Sequence, residues 1–275
     1  MAKTSEEIAE YWNEFSKFYG DNIEDSNMQS GVALSRMLKL ETAQIILEVG
    51  CGTGKLSLHW LQILPPGTKY TSVDISEKMI QIAEKRKEDL IHRINEIDHA
   101  FKVGNAENLD FIPDESIDVY LAPLCMHLVN DPNKALKEAC RVLKKGGVIG
   151  FSVLGPSEKN TLFKLFDDRL EELKIETPKG RSSHYLGKRE DLINLAQANG
   201  IKVEFCWEQD VVVEIFEEKD LHKITSIPRI NQFLNQLDKD SQEKIRKGMK
   251  IDLEDKRKNF TPLKTNDLLL IGKKL

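Results

Sequence analysis

The residues that point most directly to chemistry follow an apolar run at positions 45–49. Gly50, Gly52 and Gly54 occupy every second position there, and a backbone without β-carbons can turn sharply and approach a ligand at contact distance. Asp74 ends the next apolar run, twenty residues after Gly54, where open α/β folds bind ribose hydroxyls. The loop and the carboxylate together predict a site for a small ligand outside the carboxyl ends of two parallel strands.

The glycine spacing narrows the choice of ligand. A dinucleotide fingerprint is Gly-x-Gly-x-x-Gly, but here the third glycine comes one residue early and Lys55 follows it. Glu48, two residues before the first glycine, would repel a phosphate and suits a ligand with positive charge, such as an amino-acid ammonium. Of the functions that such a loop could serve, that of a Rossmann-fold oxidoreductase is therefore the weakest alternative.

The elements that must position these residues alternate between strands and helices. This alternation predicts a parallel sheet with helices on both faces, and right-handed crossovers would make it doubly wound. The predicted strands are Ile45–Val49, Lys69–Val73, His99–Val103, Ile117–Leu121, Val148–Val153, Lys202–Trp207, Val211–Phe216 and Leu268–Gly272. The predicted helices are Met28–Leu40, Leu56–Leu64, Glu77–Asn95, Asn133–Lys144, Thr161–Leu173, Lys188–Asn199 and a charged stretch ending near Lys258.

Two helix ends carry specific signals. Ser5 is the predicted N-cap of a first helix, because acidic residues follow it in the first turn. Asp131 is the predicted N-cap of the helix that starts near Pro132. That helix is predicted to end at Lys144, with Gly146 and the glycine after it as a left-handed stop.

Composition excludes several classes of protein. The 275 residues contain 40 Lys and Arg against 45 Asp and Glu, a net charge of −5 that argues against a general nucleic-acid or membrane binder. The start lacks the apolar core of a secretory signal, and no apolar run approaches the roughly 20 residues of a membrane span. The four cysteines lack zinc-site spacing, so reduced thiols in a cytoplasmic protein without a metal are expected.

Several further segments carry a resemblance to a known family. The chain resembles the class I S-adenosylmethionine-dependent methyltransferases, and most of all their small-molecule branch of ubiquinone/menaquinone and sterol methyltransferases, over roughly residues 45–155. The matching segments, in the family's order, are Glu48–Gly54, Asp74, Asn105-Ala106-Glu107, Phe111–Asp118, Met126-His127-Leu128-Val129-Asn130-Asp131 and Arg141-Val142-Leu143-Lys144-Lys145-Gly146-Gly147.

The resemblance implies a fold and a cofactor. The implied fold is a doubly wound, mostly parallel, seven-stranded Rossmann-like sheet with N-terminal helices and a helical cap before the last strand. The implied cofactor is S-adenosyl-L-methionine, which leaves as S-adenosyl-L-homocysteine. The residues that the resemblance assigns to the cofactor are Glu48, Gly50, Cys51, Gly52, Gly54, Asp74, Ile75, Met79, Asn105, Ala106, Glu107, Leu121 and Ala122.

Two departures from the family pattern concern the reacting end of the site. Pro123 stands where the family usually has a small polar residue, and Leu128 replaces the second histidine of a pair. His127 remains as the candidate general base, with a packing or capping histidine as the alternative.

The acceptor is expected to be a small molecule in a covered, moderately apolar pocket. Tyr11, Trp12 and Tyr19 share an aromatic helix face that could close over it, or could pack on the core as any amphipathic helix does. His127, His184 and Tyr185 are further candidate contacts; the latter two belong to the basic segment 178–185, which could equally be a solvated loop.

The chain is predicted to divide into three segments, and two other functions remain as alternatives. Residues 1–40 are predicted as a helical lid, 41–155 as the cofactor-binding core, and 156–275 as sheet completion and substrate cap within one structural domain. One alternative is a catalytically weak or inactive scaffold in a larger assembly, and another is a protein or RNA methyltransferase. The second lacks its expected marks, since Ala122-Pro123-Leu124-Cys125 stands where an Asn-Pro-Pro-Tyr-type motif would.

Overall fold

A computed structural model of the chain describes residues 4–90, 94, 97–176 and 181–275. Its strands are β1 (Ile45–Val49), β2 (Lys69–Asp74), β3 (Asp98–Val103), β4 (Ile117–Ala122), β5 (Leu143–Leu154), β6 (Ile201–Val212) and β7 (Lys264–Lys274). Its α-helices are α1 (Ser5–Asn22), α2 (Glu24–Met37), α3 (Lys55–Leu61), α4 (Glu77–Asp89), α5 (Pro132–Val142), α6 (Thr161–Glu172), α7 (Arg189–Ala198), α8 (His222–Thr225), α9 (Pro228–Gln236) and α10 (Lys239–Lys258).

The strands form one seven-stranded sheet in the order β3-β2-β1-β4-β5-β7-β6. The first five strands are parallel, and β7 runs antiparallel to both β5 and β6. This architecture confirms the predicted mostly parallel, doubly wound sheet with helices inserted before the last strand. The strand order reverses between β1 and β4, and open α/β sheets bind ligands at the carboxyl ends of strands flanking such a reversal.

Helices cover both faces of the sheet and form a separate cap. On one face α5 and α7 bury side chains such as Leu136 and Leu192 against the strands of the sheet. On the other face α2, α3 and α4 bury Leu34, Leu58 and their neighbours against the same strands. The cap has its own apolar cluster, shared by α6, α9 and α10. The sheet is therefore shielded from water on both faces, as strands of a parallel sheet require.

The N-terminal helices differ from the prediction at their starts. Thr4, not Ser5, is the N-cap of α1, since the Thr4 hydroxyl accepts the N–H of Glu7 and the Glu7 carboxylate accepts the N–H of Thr4. This reciprocal pair is a capping box, which leaves Ser5 as the first helical residue. The second helix begins at Glu24, four residues before the predicted Met28.

Strand pairing accounts for two further differences from the prediction. The helix predicted to end at Lys144 ends at Val142, because Leu143 already pairs with Ile117 of β4. The strand predicted at 202–207 and the first two residues of the strand predicted at 211–216 belong to one strand, β6, since β7 offers an uninterrupted partner from 264 to 274; residues 213–216 are not a strand. Helix α4 ends at Asp89, and the predicted end at Asn95 lies outside the described residues.

None of the described helices combines the length and the apolar character that crossing a membrane would require.

Candidate active site

A cavity of about 100 Å³ lies at the carboxyl ends of β1 and β4, beneath α1. Its position agrees with the strand-order reversal between these two strands. The lining residues are Ser5, Ile8, Trp12, Tyr19, Asn27, Val49, Gly50, Gly52, Asp74, Ile75, Met79, Gly104, Asn105, Ala106, Glu107, Pro123, Leu124, Cys125, Leu128 and Val129. Ligand sites commonly enclose about 300–1,000 Å³, so the side chains of α1 fill part of the space above the sheet.

The glycine loop between β1 and α3 forms the floor of this cavity. Gly50 and Gly52 have φ angles of +74° and +55°, a region that side-chain-bearing residues rarely adopt. A β-carbon on Gly50 would lie 2.8 Å from the Cys125 sulfur, and one on Gly52 would lie 3.3 Å from the Tyr19 ring. The loop therefore keeps its backbone bare where the cavity meets α1 and the segment after β4.

Asp74 ends β2 and stands on the cavity wall beside this loop. Its Oδ2 accepts the N–H of Gly52 at 2.8 Å, and its Oδ1 accepts the N–H of Ser76 at 2.9 Å. Burial raises the pKa of Asp74 to about 6, while these backbone N–H groups act in the opposite direction. The carboxylate thus fixes the glycine loop and retains lone pairs that can accept further hydrogen bonds.

Asn105, which follows β3, also lines the cavity. Its amide nitrogen donates to the Ser5 hydroxyl of α1 at 3.0 Å, and its Oδ1 accepts the N–H of Glu107 at 2.9 Å. The Glu107 carboxylate in turn accepts the N–H groups of Asn130 and Asp131 at 2.8 and 3.1 Å. These contacts hold three separate chain segments in register around the cavity.

Glu48 precedes the glycine loop but its carboxylate lies behind β1, away from the cavity wall. Its Oε2 accepts the hydroxyls of Ser57, Tyr70 and Ser72 at 2.5, 2.7 and 3.3 Å. Burial raises the pKa of Glu48 to about 7, and the three hydroxyls oppose that shift. The structure places this carboxylate beneath α3 and not where an ammonium ligand of the cavity could meet it.

The N-terminal helix α1 closes the cavity with aromatic side chains. Trp12 and Tyr19 both line it, and their rings meet edge to face at 6.0 Å. Tyr11 packs on Trp12 at 5.5 Å but does not line the cavity. Asn13 ties α1 to the start of α4, because its Oδ1 accepts the Ser76 hydroxyl at 2.8 Å.

Helix α2 is also attached to the glycine loop. The buried Glu24 accepts the Thr53 hydroxyl at 2.5 Å and pairs with Arg86 of α4 at 2.6 Å. Arg86 additionally donates to the Thr53 carbonyl at 3.1 Å. These contacts connect α2, α4 and the glycine loop directly to one another.

His127 is buried just behind the cavity wall. Burial lowers the pKa of His127 to about 3, and the nearby His184 and Arg181 act in the same direction. Its Nδ1 has no hydrogen-bond partner within the described part of the chain. The imidazole is therefore neutral at physiological pH, and His127 is not among the residues that line the cavity.

His184 and Tyr185 lie in a segment that packs on the chain after β4, outside the cavity lining. The Arg181 guanidinium donates to the carbonyls of Val129 and Asn130 and lies 4.5 Å from the Tyr185 ring centroid. His184 shares a 2.8 Å hydrogen bond with the Gly155 carbonyl. The beginning of the predicted loop, Pro178 to Gly180, lies outside the described residues.

The structure thus gathers only some of the predicted site residues on one wall. The predicted residues that line the cavity are Trp12, Tyr19, Gly50, Gly52, Asp74, Ile75, Met79, Asn105, Ala106 and Glu107. The predicted residues outside the lining are Tyr11, Glu48, Cys51, Gly54, Leu121, Ala122, His127, His184 and Tyr185. The lining residues that no site prediction included are Ser5, Ile8, Asn27, Val49, Gly104, Pro123, Leu124, Cys125, Leu128 and Val129.

Some of these omissions had a signal in the sequence. Leu124, Cys125, Leu128 and Val129 follow β4 as an uncharged run, and that run marks an apolar wall at a strand end. Asn27 had none, because α2 brings it to the cavity through tertiary packing alone.

The described residues contain no group of three or more His, Cys, Asp or Glu side chains placed to hold a metal ion. All four cysteines are free thiols. Burial raises the pKa of both Cys51 and Cys125, which keeps them protonated.

Comparison with known proteins finds a family match for the central part of the chain. Residues 47–151 match the family model described as a methyltransferase domain. Malonyl-(acyl-carrier protein) O-methyltransferase of Yersinia pestis is 26% identical over 142 residues, which are 52% of this chain and 48% of that protein. The ubiquinone/menaquinone biosynthesis C-methyltransferase UbiE of Rickettsia massiliae is 40% identical over 105 residues, which are 37% of this chain and 41% of that protein.

Among solved structures, the cyclase SpnF superposes with a TM-score of 0.60 at 17% identity, covering 100% of this chain and 97% of that one. A likeness at this identity concerns the fold alone. The family match, the sheet order and the curated relatives together identify residues 47–151 as a class I S-adenosylmethionine-dependent methyltransferase domain. The chain matches about half, or less, of the length of these curated relatives.

Proposed function

We propose that this protein transfers a methyl group from S-adenosyl-L-methionine to a small-molecule acceptor. The observation that carries this proposal is the cavity at the strand-order reversal, where Gly50, Gly52, Asp74 and Asn105 share one wall. The same wall carries no side chains at the two glycines, where β-carbons would come within 2.8 Å of the Cys125 sulfur and 3.3 Å of the Tyr19 ring. The residues present therefore fit the cofactor of the methyltransferase family.

Each part of the wall has a role in binding. The backbone at Gly50 and Gly52 would hold the methionine end, and Asp74 would accept the ribose hydroxyls. Asn105 and Ala106 would flank the adenine, with Met79 as apolar packing. The cofactor, when bound, supplies an electrophilic methyl group on a sulfonium sulfur.

The chain's contribution to the reaction is mainly positioning. Methyl transfer is an in-line displacement, and holding the reactants in near-attack geometry can lower the barrier by about 7–11 kcal/mol. Trp12 and Tyr19 exclude water above the site. Leu124, Leu128 and Val129 give the far wall an apolar surface that suits a moderately apolar acceptor. The 100 Å³ cavity requires α1 to shift outward when the ligands enter.

Calorimetric titration with S-adenosylmethionine, S-adenosylhomocysteine and NADH tests the cofactor. We expect micromolar binding of the first two and none of NADH, because the glycine loop lacks the dinucleotide spacing. Binding of NADH alone, or of none of the three by folded protein, would overturn the proposal and favour a scaffold. Release of S-adenosylhomocysteine in the presence of phenol, thiol and carboxylate acceptors then tests turnover.

A further inference from the structure

A turn at residues 181–187 holds a cationic side chain beside the far wall of the cavity. Within the turn, the N–H of Gly187 donates to the His184 carbonyl at 2.9 Å. The His184 ring shares a 2.8 Å hydrogen bond with the carbonyl of Gly155, which follows β5. Leu186 is buried in the core that α5 and α7 form with the sheet. The turn is therefore attached to the sheet, and this attachment fixes the position of its first residue.

That first residue, Arg181, stands where the apolar cavity wall ends. Its guanidinium donates to the carbonyl of Val129, which lines the cavity, and to the carbonyl of the next residue, Asn130. These contacts use two of the five N–H groups of an arginine side chain. The guanidinium also lies 4.5 Å from the Tyr185 ring centroid, a contact that helps to hold a planar cation in place. Arg181 is exposed, so a ligand that extends past Val129 can reach its remaining donors.

The acidic groups near this turn already have other partners. Burial raises the pKa of the Tyr185 hydroxyl, Arg181 opposes that shift, and the carboxylates of Asp131 and Glu107 add to it. Asp131 caps the N-terminus of α5 through two backbone N–H groups. Glu107 accepts the N–H groups of Asn130 and Asp131. Both carboxylates are thus bound to backbone groups, which leaves the charge of Arg181 available to an anion from outside the chain.

Buried polar atoms without partners lie beside the guanidinium. The Tyr185 hydroxyl, His127 Nδ1 and Asn130 Oδ1 have no hydrogen-bond partner within the described ranges, although most buried polar atoms are paired. His127 is 6% exposed, and besides burial the nearby Arg181 lowers its pKa. A tyrosine hydroxyl and a neutral imidazole can each donate one hydrogen bond, and rotation of the Asn130 amide would present its nitrogen. These groups suit an anionic group placed next to the guanidinium.

We propose that Arg181 binds a carboxylate on the methyl acceptor, at the end remote from the atom that receives the methyl group. This inference rests on the proposed methyltransferase function and narrows the acceptor to an apolar molecule that carries a carboxylate. The apolar body lies along Leu128 and Val129. The carboxylate meets the planar guanidinium, which can donate two parallel N–H groups to it. The Tyr185 hydroxyl donates a further hydrogen bond to the bound carboxylate.

Hydroxynaphthoate and its carboxamide, hydroxynaphthamide, are matched probes of this site. Both have the same rings and the same hydroxyl group, but only hydroxynaphthoate is an anion at neutral pH. We expect the protein saturated with S-adenosylhomocysteine to bind hydroxynaphthoate at least about tenfold more tightly, because charge-assisted hydrogen bonds are the stronger ones. Added salt should reduce this preference, since exposed charges are screened. Equal binding of both probes, or binding of neither, would overturn the proposal.

Arg181→Gln removes the charge and keeps a side chain that can donate to the two carbonyls. We expect it to weaken hydroxynaphthoate binding about tenfold and to change hydroxynaphthamide binding by no more than about twofold. Arg181→Lys keeps the charge without the planar fork and should bind hydroxynaphthoate with intermediate affinity. An equal loss for both probes in Arg181→Gln would show that Arg181 merely supports the wall at Val129, which contradicts an anion site.

Lys188→Gln is the control variant. Lys188 is exposed, follows the same turn as the N-cap of α7 and lies outside the cavity lining. The variant removes the same charge as Arg181→Gln, and we expect it to bind both probes as the native protein does. A loss of hydroxynaphthoate binding equal to that of Arg181→Gln would mean that diffuse positive charge attracts the acid, and it would overturn the specific contact.

Tyr185→Phe tests the unpartnered hydroxyl. The variant keeps the aromatic ring beside the guanidinium and removes a buried polar atom that has no partner among the described residues. Its melting temperature without ligand should therefore not fall, because no hydrogen bond is lost. Its affinity for hydroxynaphthoate should fall about threefold or more, with hydroxynaphthamide unaffected. Native affinity for hydroxynaphthoate in Tyr185→Phe would contradict the role of the hydroxyl.

Binding and kinetics together separate this proposal from the proposed function. A native protein that fails to bind S-adenosylhomocysteine contradicts the proposed function itself. A native protein that binds it but does not prefer the acid contradicts the carboxylate site alone. In turnover of hydroxynaphthoate, Arg181→Gln should raise KM about tenfold and change kcat by no more than about twofold, because the contact is remote from the reacting atoms. A fall in kcat at unchanged KM would overturn that placement.

Discussion

The two sides of the glycine loop each hold a buried carboxylate, and the two carboxylates have different partners. On the cavity side, Asp74 accepts backbone N–H groups of Gly52 and Ser76. On the opposite side, Glu48 accepts three side-chain hydroxyls beneath α3. Burial raises the pKa of both. The two carboxylates thus differ in position, because Asp74 lines the cavity and Glu48 lies outside it beneath α3.

The glycines divide in the same way. A β-carbon on Gly52 would approach the Tyr19 ring above the cavity at 3.3 Å. A β-carbon on Gly54 would lie 2.7 Å from the Ala83 β-carbon and 2.8 Å from the Phe101 ring, both beneath the loop. The first glycine allows Tyr19 of α1 to approach the loop, and the second allows α4 and β3 to pack closely beneath it.

The largest expected effect is a loss of stability on the side of the loop that faces away from the cavity. Gly54→Ala should lower the free energy of unfolding by about 3 kcal/mol or more, since it combines a strained φ of +79° with overpacking. Chemical denaturation measures the loss. Gly67→Ala is the control, because φ there is +85° but nothing lies within 4 Å of the added carbon. Gly67→Ala should lower the free energy of unfolding by only about 1 kcal/mol. An equal loss in both variants would show that packing beneath the loop is unimportant.

Glu48→Gln should change how stability depends on pH. The folded pKa of about 7 exceeds the ordinary 4.5, so the native state binds more protons and the unfolding free energy falls as pH rises between these values. The loss of unfolding free energy over this range amounts to at most about 3 kcal/mol and is complete above pH 7. The variant should therefore lose less stability between pH 4.5 and 8 in denaturant titrations.

Glu138→Gln provides a comparison of opposite sign. Pairing with Arg141 lowers the pKa of Glu138, so its contribution to stability is lost as pH falls. An identical pH profile for Glu48→Gln and the native protein would show that the Glu48 carboxyl group is not buried as described.

Cofactor binding tests the role of the carboxylate on the cavity side of the loop. Asp74→Ala should weaken S-adenosylmethionine binding by about 1–3 kcal/mol, because it removes the ribose acceptor and frees the Gly52 N–H. Asp74→Asn retains one acceptor oxygen and should lose less. Calorimetry measures both, and unchanged affinity in Asp74→Ala would contradict the ribose assignment.

The smallest effect is expected at the edge of the cavity. Ser5→Ala removes the hydroxyl that accepts the Asn105 amide at 3.0 Å. We expect a loss of about 0.5–1 kcal/mol in unfolding free energy. Cofactor affinity should change by no more than about twofold, because Asn105 keeps its bond to the N–H of Glu107. A larger loss of affinity would mean that the attachment of α1 preorganises the cavity.

Local sequence signals predicted the parallel half of the sheet well. The apolar run of β1 and the glycines after it mark a strand and a loop without reference to any other segment. By contrast, β6 spans 12 residues because β7 pairs along its whole length, and no local pattern carries that information. The placement of Asn27 and Ser30 against the sheet likewise depends on how α2 packs.

The position of His127 shows why the site was harder to predict than the fold. Leu124 has a φ of +49°, and this unusual backbone conformation redirects the chain after β4. Leu124, Cys125 and Leu128 then face the cavity while His127 is buried behind them. A sequence pattern places a residue after a strand, but the turn geometry decides which way its side chain points.

The position of β7 has a consequence for synthesis on the ribosome. In the described sheet β6 pairs only with β7, although more than 50 residues separate the two strands along the chain. While the cap helices emerge, β6 and the outer edge of β5 present unpaired backbone groups that can associate with other chains. A chaperone that shields extended edges would therefore be needed most during translation of residues 213–274, and slower translation there would favour aggregation.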